Sequence, residues 1–321
     1  MVEKLETLIE NKYNTALQNG SLIFFETETE TKSEDGIEVQ RDFLQFFQIT
    51  YAPSLLLKPN SEDVKNEAGS ANPFENPNPE LHVKDLKDHR LLLNKFCVVP
   101  HHLLVVTKEF KKQTEPLLPS DLRATWEVLS QLPQPSMAFY NCGDLSGASQ
   151  PHKHIQIIPL SKAKISPPIS AVYEHIPGRK AGEIYTIKSL PYIHVLVPLD
   201  LNFMGSTTDM DMVEDYLGQM FFGLLDSMIQ QLRENDSKVT FSFNFILTHQ
   251  YMMMVPRQKE HWEVAEKGIK LSVNSMAFAG LLLAKTAEEL ETLKQTNIID
   301  LLCEVGVRRG EGVGSSVPDD A

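Results

Sequence analysis

Residues 141–160, NCGDLSGASQPHKHIQIIPL, carry the most informative pattern in this sequence. Its second half alternates polar and apolar side chains before an apolar end, a pattern typical of a β-strand. Successive side chains of a strand point to opposite faces of the sheet, so His152, His154 and Gln156 share one face and the residues between them share the other. Two imidazoles and one amide are therefore predicted to lie on one surface.

A loop of small residues precedes this strand. Gly143 and the run SGAS, residues 146–149, allow backbone N–H groups and hydroxyls to approach an anion closely. A phosphate-binding loop that leads into a pair of histidines is a sensible site for nucleotidyl transfer, since imidazole is a good nucleophile when neutral and a good leaving group when protonated.

Two other interpretations of the His-x-His pattern stay open at this point. Two neutral imidazoles on one face of a strand can bind zinc or copper, although no nearby Cys or carboxylate completes a ligand set. A purely structural surface strand is the second alternative, and the pattern HKH alone would favour it. The loop of small residues, Gln156 and the apolar strand end together favour the functional interpretation.

Outward from this segment, hydrophobic periodicity predicts an α+β fold. The predicted strands are 43–53, 91–100, 102–107, 137–141, 152–160, 194–198, 241–247, 251–256 and one within 271–285. The predicted helices are 2–19, one carrying Leu122, Trp126 and Leu129, one carrying Leu217, Phe221, Leu224 and Met228, one with a Thr286–Glu289 capping box, and 298–305. Residues 60–79 lack periodicity and are rich in Asn, Glu, Ser and Pro, which predicts a mobile surface loop.

The order strand, strand, helix, strand, loop, strand occurs twice, which indicates two degenerate repeats. In the first, 18 positions separate Asn141 from Pro159, whereas 12 separate Asn244 from Pro256 in the second. The second repeat lacks the loop of small residues, so one active site per chain is predicted. The alternative is a chance alternation of helices and strands, which many α+β proteins show.

This repeat suggests a division of the chain into three parts. We assign residues 1–180 to an N-terminal catalytic half and residues 181–308 to a C-terminal degenerate half. Residues 309–321 are glycine-rich and are expected to form a flexible tail.

Composition restricts the partners and the location. There are 30 Lys and Arg against 43 Asp and Glu, which gives a net charge of −13. Such an acidic surface repels a phosphate backbone, so nucleic acid is not expected as a partner.

No apolar run approaches the roughly 18 residues that span a bilayer, and no secretory or transit signal is recognisable at the start. A cytoplasmic location is expected, with which a nuclear presence is compatible. Three distant cysteines fit reduced thiols.

The motif HKHIQII resembles the His-x-His-x-Gln motif of the transferase branch of the histidine-triad superfamily. That branch includes galactose-1-phosphate uridylyltransferases and fungal diadenosine tetraphosphate phosphorylases (ATP adenylyltransferases). Further segments look like the fungal phosphorylases and occur in the family's order: SLLLKP (54–59), LLLNKF (91–96), SGAS (146–149), MMMVPR (252–257) and NSMAFAGLLLAK (274–285). The resemblance spans about residues 58–285 and implies an antiparallel sheet with packed helices.

The activity that the resemblance implies is reversible phosphorolysis, in which diadenosine tetraphosphate and phosphate give ADP and ATP. In such enzymes the second histidine of the motif, here His154, attacks the α-phosphorus and carries AMP. His152 and Gln156 would complete the catalytic set. Some relatives also use sulfate in place of phosphate, which would add an ADP-dependent sulfate adenylyltransferase activity.

The resemblance also implies substrate-binding residues from both halves. They are Lys58, Asn94, Lys95, Asn141, Gly147, Ala148, Ser149, Gln150, Gln156, Asn274, Ser275, Met276 and Lys285. For Lys58 and Lys285 a solvated-surface role is an equal alternative, and Asn94 could simply start a turn.

The expected ligands are a dinucleoside polyphosphate, ADP, ATP and phosphate or sulfate, accompanied by a divalent cation such as Mg²⁺. No structural zinc is expected, since the cysteine pair of the zinc-bearing uridylyltransferases is missing here. A monomer is favoured, because two repeats could build a two-fold sheet within one chain. A dinucleoside polyphosphate hydrolase and a non-catalytic nucleotide sensor are the alternative functions; Gln156 argues against the first and His154 against the second.

Overall fold

The computed structural model describes residues 3–33, 46–57, 72–160, 167–238 and 241–310. Its helices are α1 (Leu5–Gln18), α2 (Pro119–Leu129), α3 (Pro168–Glu174), α4 (Leu201–Ser206), α5 (Met210–Glu234), α6 (Ser275–Phe278), α7 (Ala287–Gln295) and α8 (Ile298–Val305). The first strands are β1 (Ile23–Phe24), β2 (Glu28–Ser33), β3 (Phe46–Tyr51), β4 (His82–Asp85), β5 (His89–Leu93), β6 (Phe96–Cys97), β7 (Leu103–Thr107) and β8 (Met137–Cys142). The remaining strands are β9 (His154–Ile158), β10 (Val195–Pro198), β11 (Phe243–Thr248), β12 (Tyr251–Pro256), β13 (His261–Val264), β14 (Ile269–Ser272) and β15 (Leu281–Ala284).

A central sheet organises these elements. Its strands follow the order β10-β12-β11-β8-β9-β7-β5-β4, and every neighbouring pair among them is antiparallel. Helices α1, α2 and α5 cover one face, where Ile155 and Ile157 of β9 are buried. The other face is covered by α3, α8 and a small sheet of β15, β3 and β2. The predicted antiparallel sheet with packed helices is confirmed.

Helix α5 shows how the sequence pattern produces this packing. Asp209 caps its N-terminus by accepting a hydrogen bond from the backbone N–H of Asp211. Its buried side chains recur every three or four residues, so one stripe of the helix packs on the sheet. The predicted members of that stripe are all buried, namely Leu217, Phe221, Leu224 and Met228. The predicted Thr286–Glu289 capping box at the start of α7 is also confirmed.

The sheet is arranged symmetrically about its β8–β11 pair. Moving outwards, β8 is followed by β9 and β7, and β11 is followed by β12 and β10, which the repeat comparison treats as their equivalents. Asn141 and Asn244, the residues that the repeat comparison treats as equivalent, are direct cross-strand partners. This arrangement supports the duplication, which stays a prediction. Both predicted halves contribute to one sheet, and their boundary falls between α3 and β10.

Several local predictions need correction. Residues 91–100 do not form one strand, because a turn at Asn94 and Lys95 separates β5 from β6. Residues 72–79 of the predicted surface loop include the buried side chain of Phe74. Arg309 is anchored by a backbone hydrogen bond to Pro191, so the predicted tail does not begin there. Val2, Lys58 and the greater part of the tail lie outside the described residues.

The three cysteines are all buried and none forms a disulfide, which confirms the predicted thiols. Burial raises the pKa of Cys97 and of Cys142 to about 12.

Within the described part of the chain, no helix is both long and apolar enough to cross a membrane.

A buried charge cluster fixes β9 from the side facing α2. Lys153 is fully buried, and its Nζ donates to Asp121 Oδ2 at 3.2 Å and to the Pro116 carbonyl at 2.9 Å. The other oxygen, Asp121 Oδ1, lies 2.8 Å from His89 Nε2. Burial would raise the pKa of Asp121, but the hydrogen bond from His89 and the charge of Lys153 outweigh it and hold this pKa below its usual value.

We expect Asp121→Asn to lower the free energy of unfolding by about 3–5 kcal/mol at pH 7, because the buried ammonium of Lys153 loses its buried counter-charge and keeps only the half-exposed carboxylate of Glu115 at 4.0 Å. The carboxylate has a depressed pKa in the folded state. Its contribution is therefore complete above its unfolded pKa of about 4 and is lost as the pH falls through the folded value. Urea unfolding across this pH range measures both effects.

The exposed Asp226 provides the control, and Asp226→Asn should change the stability little. An Asp121→Asn protein as stable as wild type at pH 7 would contradict a stabilising ion pair.

Candidate active site

Strand β9 presents His154 with a defined tautomer. Nδ1 of His154 lies 2.8 Å from the backbone carbonyl oxygen of His152, so this nitrogen carries a proton and donates it. The neutral ring then holds its nucleophilic lone pair on Nε2. His154 is only 4% exposed, so the ring sits in a largely water-free environment. The backbone alone prepares this imidazole for attack on an electrophile.

His152 is held differently. Its Nε2 donates to the carbonyl oxygen of Thr107 at 2.9 Å, and its Nδ1 lies 2.8 Å from the Asn72 amide nitrogen, from which it accepts. Burial lowers the pKa of His152, which keeps the ring neutral. Both nitrogens are used inside the protein, so His152 tethers the chain around residue 72 to β9.

The residues after Asn72 cover the histidine pair. The ring of Phe74 lies 5.3 Å from that of His154 and 5.8 Å from that of His152. Arg90 holds this turn in place, because its guanidinium donates to the carbonyl oxygens of Phe74 and Glu75 at 3.1 and 3.3 Å. This cover could not be predicted from the sequence, since residues 72–76 lie in a stretch without periodicity.

Gln156 lies on the same face as His154, as predicted. Phe139 on β8 is its cross-strand partner, and that residue belongs to the core on this face of the sheet. Gln156 is half-buried, and its amide makes no hydrogen bond to the residues that the structure describes. An amide with unused donors beside His154 is suited to bind a phosphoryl oxygen.

Gln113 is a further site residue that the sequence did not reveal. The β8–β9 pairing ends at Phe139 and Gln156, and beyond it the Gln113 side chain bridges the two strands. Its Oε1 accepts from the His154 N–H at 2.8 Å, and its Nε2 donates to the Asn141 carbonyl oxygen at 2.8 Å. Gln113 thus takes the place of a ladder residue and sets the separation between Asn141 and His154.

The Asn141 side chain joins the two halves of the chain. Its Oδ1 accepts three hydrogen bonds: from Asn244 Nδ2 at 2.9 Å, from the Ser275 N–H at 3.0 Å and from the Ser275 hydroxyl at 2.7 Å. Ser275 is fully buried, and its hydroxyl lies within hydrogen-bonding distance of both Asn141 Oδ1 and, at 3.1 Å, the Tyr140 carbonyl oxygen, so its donors point inward. The structure therefore places Ser275 behind the site.

The loop of small residues packs tightly against the C-terminal half. Gly147 has a positive φ of 77°, and an added Cβ would lie 2.3 Å from the carbonyl oxygen of Val273. Ser146 is buried, and its hydroxyl donates to the Gly143 carbonyl oxygen. The residues that follow are half-buried and line the loop surface, namely Gly147, Ala148, Ser149 and Gln150.

The other predicted binding residues are distributed more widely. Asn94 forms a turn, with its Oδ1 accepting from the Phe96 N–H, and Lys95 is exposed. Asn274 caps α6 through the Met276 N–H. Lys285 is half-buried and directly follows β15, whose last residue, Ala284, accepts a hydrogen bond from the Ala52 N–H. No hydrogen bond or ion pair between described residues joins Lys95 or Lys285 to the histidines.

Comparisons with known proteins agree with this arrangement. Residues 1–175 match the model of the Ap4A phosphorylase N-terminal domain, and residues 188–308 match that of the ATP adenylyltransferase C-terminal domain. The chain belongs to the Ap4A phosphorylase family. It is therefore a nucleotidyltransferase by family.

Two curated relatives of this family come from Saccharomyces cerevisiae. Diadenosine 5',5'''-P1,P4-tetraphosphate phosphorylase 2 is 32% identical over 315 residues, with 91% of each chain covered. Protein APA1 is 30% identical over 326 residues, with 96% of each covered.

The crystal structure of yeast Ap4A phosphorylase Apa2 in complex with Ap4A matches this fold with a TM-score of 0.75. The two chains are 30% identical, with 97% of this chain and 100% of that chain covered. Apa2 in complex with AMP matches equally well, with a TM-score of 0.75 at 30% identity.

The alternative of a metal centre on the histidine pair has little support in this family member. Both nitrogens of His152 are engaged by Thr107 and Asn72. Among the described ranges, no three His, Cys, Asp or Glu residues cluster so that they could hold a metal ion. The absence of structural zinc stays a prediction.

We expect Gln113→Leu to destabilise the strand junction, because the His154 N–H and the Asn141 carbonyl lose their partner. Each buried polar group left unpaired costs about 1–3 kcal/mol. Hydrogen exchange at the His154 amide should accelerate, and urea unfolding should show a lower free energy of unfolding. The exposed Gln219 provides the matched control variant Gln219→Leu. An unchanged exchange rate at His154 would show that Gln113 does not hold β9.

Proposed function

We propose that this chain catalyses phosphorolysis of diadenosine tetraphosphate, with ADP and ATP as products and an AMP–histidine intermediate on His154. The hydrogen bond from His154 Nδ1 to the His152 carbonyl oxygen is the observation that carries the proposal, because it leaves the lone pair on Nε2. The relatives named above, one of them crystallised with Ap4A, support the choice of substrate.

Two in-line displacements at the α-phosphorus account for the reaction. In the first, the Nε2 lone pair forms a P–N bond while the bond to the bridging oxygen of ATP breaks and its electron pair leaves with ATP. The proton stays on Nδ1 beside the His152 carbonyl, so the ring becomes cationic. In the second, a phosphate oxygen attacks, the P–N bond breaks towards the electron-poor ring, and ADP forms. No proton has to enter or leave the histidine in either step.

The substrate contacts come from both halves of the chain. The backbone and hydroxyls of residues 147–150, the Asn141 amide and the Gln156 amide would bind the reacting phosphate. Lys58, Asn94, Lys95, Asn274, Met276 and Lys285 remain the proposed contacts for the rest of the nucleotide. Local donors are needed for such an anionic ligand, since the chain carries a net charge of −13.

A divalent cation such as Mg²⁺ would accompany the polyphosphate. The described residues offer no cluster of carboxylates that fits such an ion, so its ligands would be phosphate oxygens and water. Neither displacement above depends on it. We also retain the monomeric state, the cytoplasmic location and the use of sulfate as an alternative acceptor as proposals.

The decisive assay incubates the protein with diadenosine tetraphosphate in the presence and absence of phosphate and separates the nucleotides. ADP and ATP that appear only with phosphate support phosphorolysis, whereas AMP and ATP without phosphate indicate a hydrolase. No turnover under either condition indicates a sensor. A further arm with ADP and sulfate tests the second acceptor through release of phosphate.

We expect His154→Ala to abolish turnover while nucleotide binding persists, because the covalent step needs the imidazole. Wild type incubated with α-radiolabelled substrate without phosphate should carry acid-labile, base-stable AMP, and the variant should carry none. His249→Ala removes a histidine from the degenerate half and should still be labelled. Substantial turnover by His154→Ala would refute the assignment of the nucleophile.

We expect Gln156→His to raise the proportion of AMP among the products. An amide cannot exchange protons near neutral pH, whereas an imidazole with an unperturbed pKa near 6.5 can act as a base towards water. The measurement is the AMP to ADP ratio at fixed phosphate, with Gln219→His as the control for the substitution itself. A slower variant with an unchanged ratio would mean that Gln156 positions the phosphoryl group without selecting the acceptor.

A further inference from the structure

We propose that Asn244, in the degenerate half, is a positioning residue that turns the amide NH2 of Asn141 towards the phosphoryl group transferred at His154. Three features of the structure support it: a series of hydrogen bonds with one direction that begins at Arg257, the three hydrogen bonds accepted by the Asn141 oxygen, and the place of Asn141 beside His154. The inference rests on the proposed function and deepens it.

The series of hydrogen bonds has a fixed direction because arginine can only donate. Arg257 is fully buried, and its NH1 donates to Asn244 Oδ1 at 2.6 Å. The amide of Asn244 must therefore present its Nδ2 to the other side, where it donates to Asn141 Oδ1 and to the Ser146 carbonyl oxygen, both at 2.9 Å. Arg257 thereby sets the orientation of Asn244.

The orientation of Asn141 follows from the same logic. Its Oδ1 receives Asn244 Nδ2, the Ser275 N–H and the Ser275 hydroxyl. Rotating the Asn141 amide by 180° would set its NH2 against two other donors, Asn244 Nδ2 and the Ser275 N–H. Its oxygen would then lose all three of these hydrogen bonds. Only one orientation satisfies the buried network, and in it Nδ2 points away from Asn244 and Ser275.

Asn141 Nδ2 then faces the site of chemistry. Asn141 projects from the same face of the sheet as Phe139 and Gln156, and the Gln113 side chain links its backbone to that of His154. Nδ2 of Asn141 donates to none of the residues in the described ranges. A neutral donor fixed in advance beside the nucleophile suits the phosphoryl oxygens, which only accept hydrogen bonds and gain charge during transfer.

The variant Asn244→Asp tests this orientation with an almost unchanged shape. A carboxylate at position 244 still pairs with Arg257, so the fold should persist, but it offers only acceptors to Asn141. Asn141 must then turn its NH2 to position 244 and present its oxygen to the phosphate. We expect kcat for phosphorolysis to fall by about 10²–10³, the usual cost of losing one preset donor, with a much smaller change in KM.

Three further variants complete the design. Asn141→Asp keeps an accepting oxygen towards Asn244 and Ser275 and places a second acceptor at the phosphate, so it should lose as much kcat and carries the test if Asn244→Asp does not fold. The double variant should be no worse than the more impaired single one, because both remove the same donor. The exposed Asn202 supplies the control Asn202→Asp, which should behave as wild type.

Wild-type kcat in Asn244→Asp or Asn141→Asp would overturn the inference, as would a fall in Asn244→Asp that reflects only a lower thermal midpoint. Failure of the proposed function is separate, because wild type itself would then give no phosphate-dependent ADP and ATP. In that case the binding affinities for AMP and for adenosine, measured by calorimetric titration, still test the role of Asn244. Asn244→Asp should bind AMP at least tenfold more weakly and adenosine equally, and equal affinity for AMP would overturn the inference.

Discussion

The buried guanidinium of Arg257 is the interaction on which the site depends. It is fully buried and donates to the carbonyl oxygens of Ser146, Val273 and Val305 as well as to the Asn244 side chain. Burial lowers the pKa of Arg257 to about 9, so the group stays protonated near neutral pH. A buried cation is tolerated only when dipoles surround it. Here the three carbonyls come from three separate segments: the small-residue loop, the segment that precedes α6, and the end of α8. Moving any of these segments away from Arg257 would remove a carbonyl acceptor from its buried charge.

In the proposed function, the N-terminal half of the sheet carries the catalytic residues and the C-terminal half supports them. If the repeats are aligned at Pro159 and Pro256, Tyr251 takes the place of His154 and Met253 that of Gln156. Tyr251 is fully buried under α3, where its hydroxyl lies 3.1 Å from Ser170 Oγ. A nucleotide cannot occupy a position filled by a helix and an aromatic side chain. What the second half supplies instead is polar support, through Asn244 and Arg257.

The part of the site that could be predicted from sequence is the part that depends on local periodicity. Alternation along residues 153–156 is enough to predict that His154 and Gln156 lie on one face and Lys153 on the other. The family motif indicates His154 as the proposed nucleophile. Gln113 could not be found in this way, because a glutamine that replaces a ladder residue has no local pattern. Its role arises only where two strands separate, and that is a property of the tertiary structure.

The unequal roles of the two histidines follow from their surroundings and not from their identity. The Thr107 carbonyl oxygen accepts a hydrogen bond from Nε2 of His152, whereas the His152 carbonyl oxygen accepts one from Nδ1 of His154, so the two rings adopt opposite tautomers. Only the second ring has its lone pair on the nitrogen furthest from the backbone. Lys153 between them is anchored to Asp121 on the opposite face, which opposes a shift of the chain by two residues that would bring one ring into the place of the other. In this His-x-His pair, one ring therefore tethers the chain and the other presents its Nε2 lone pair, because the backbone of the first histidine orients the second.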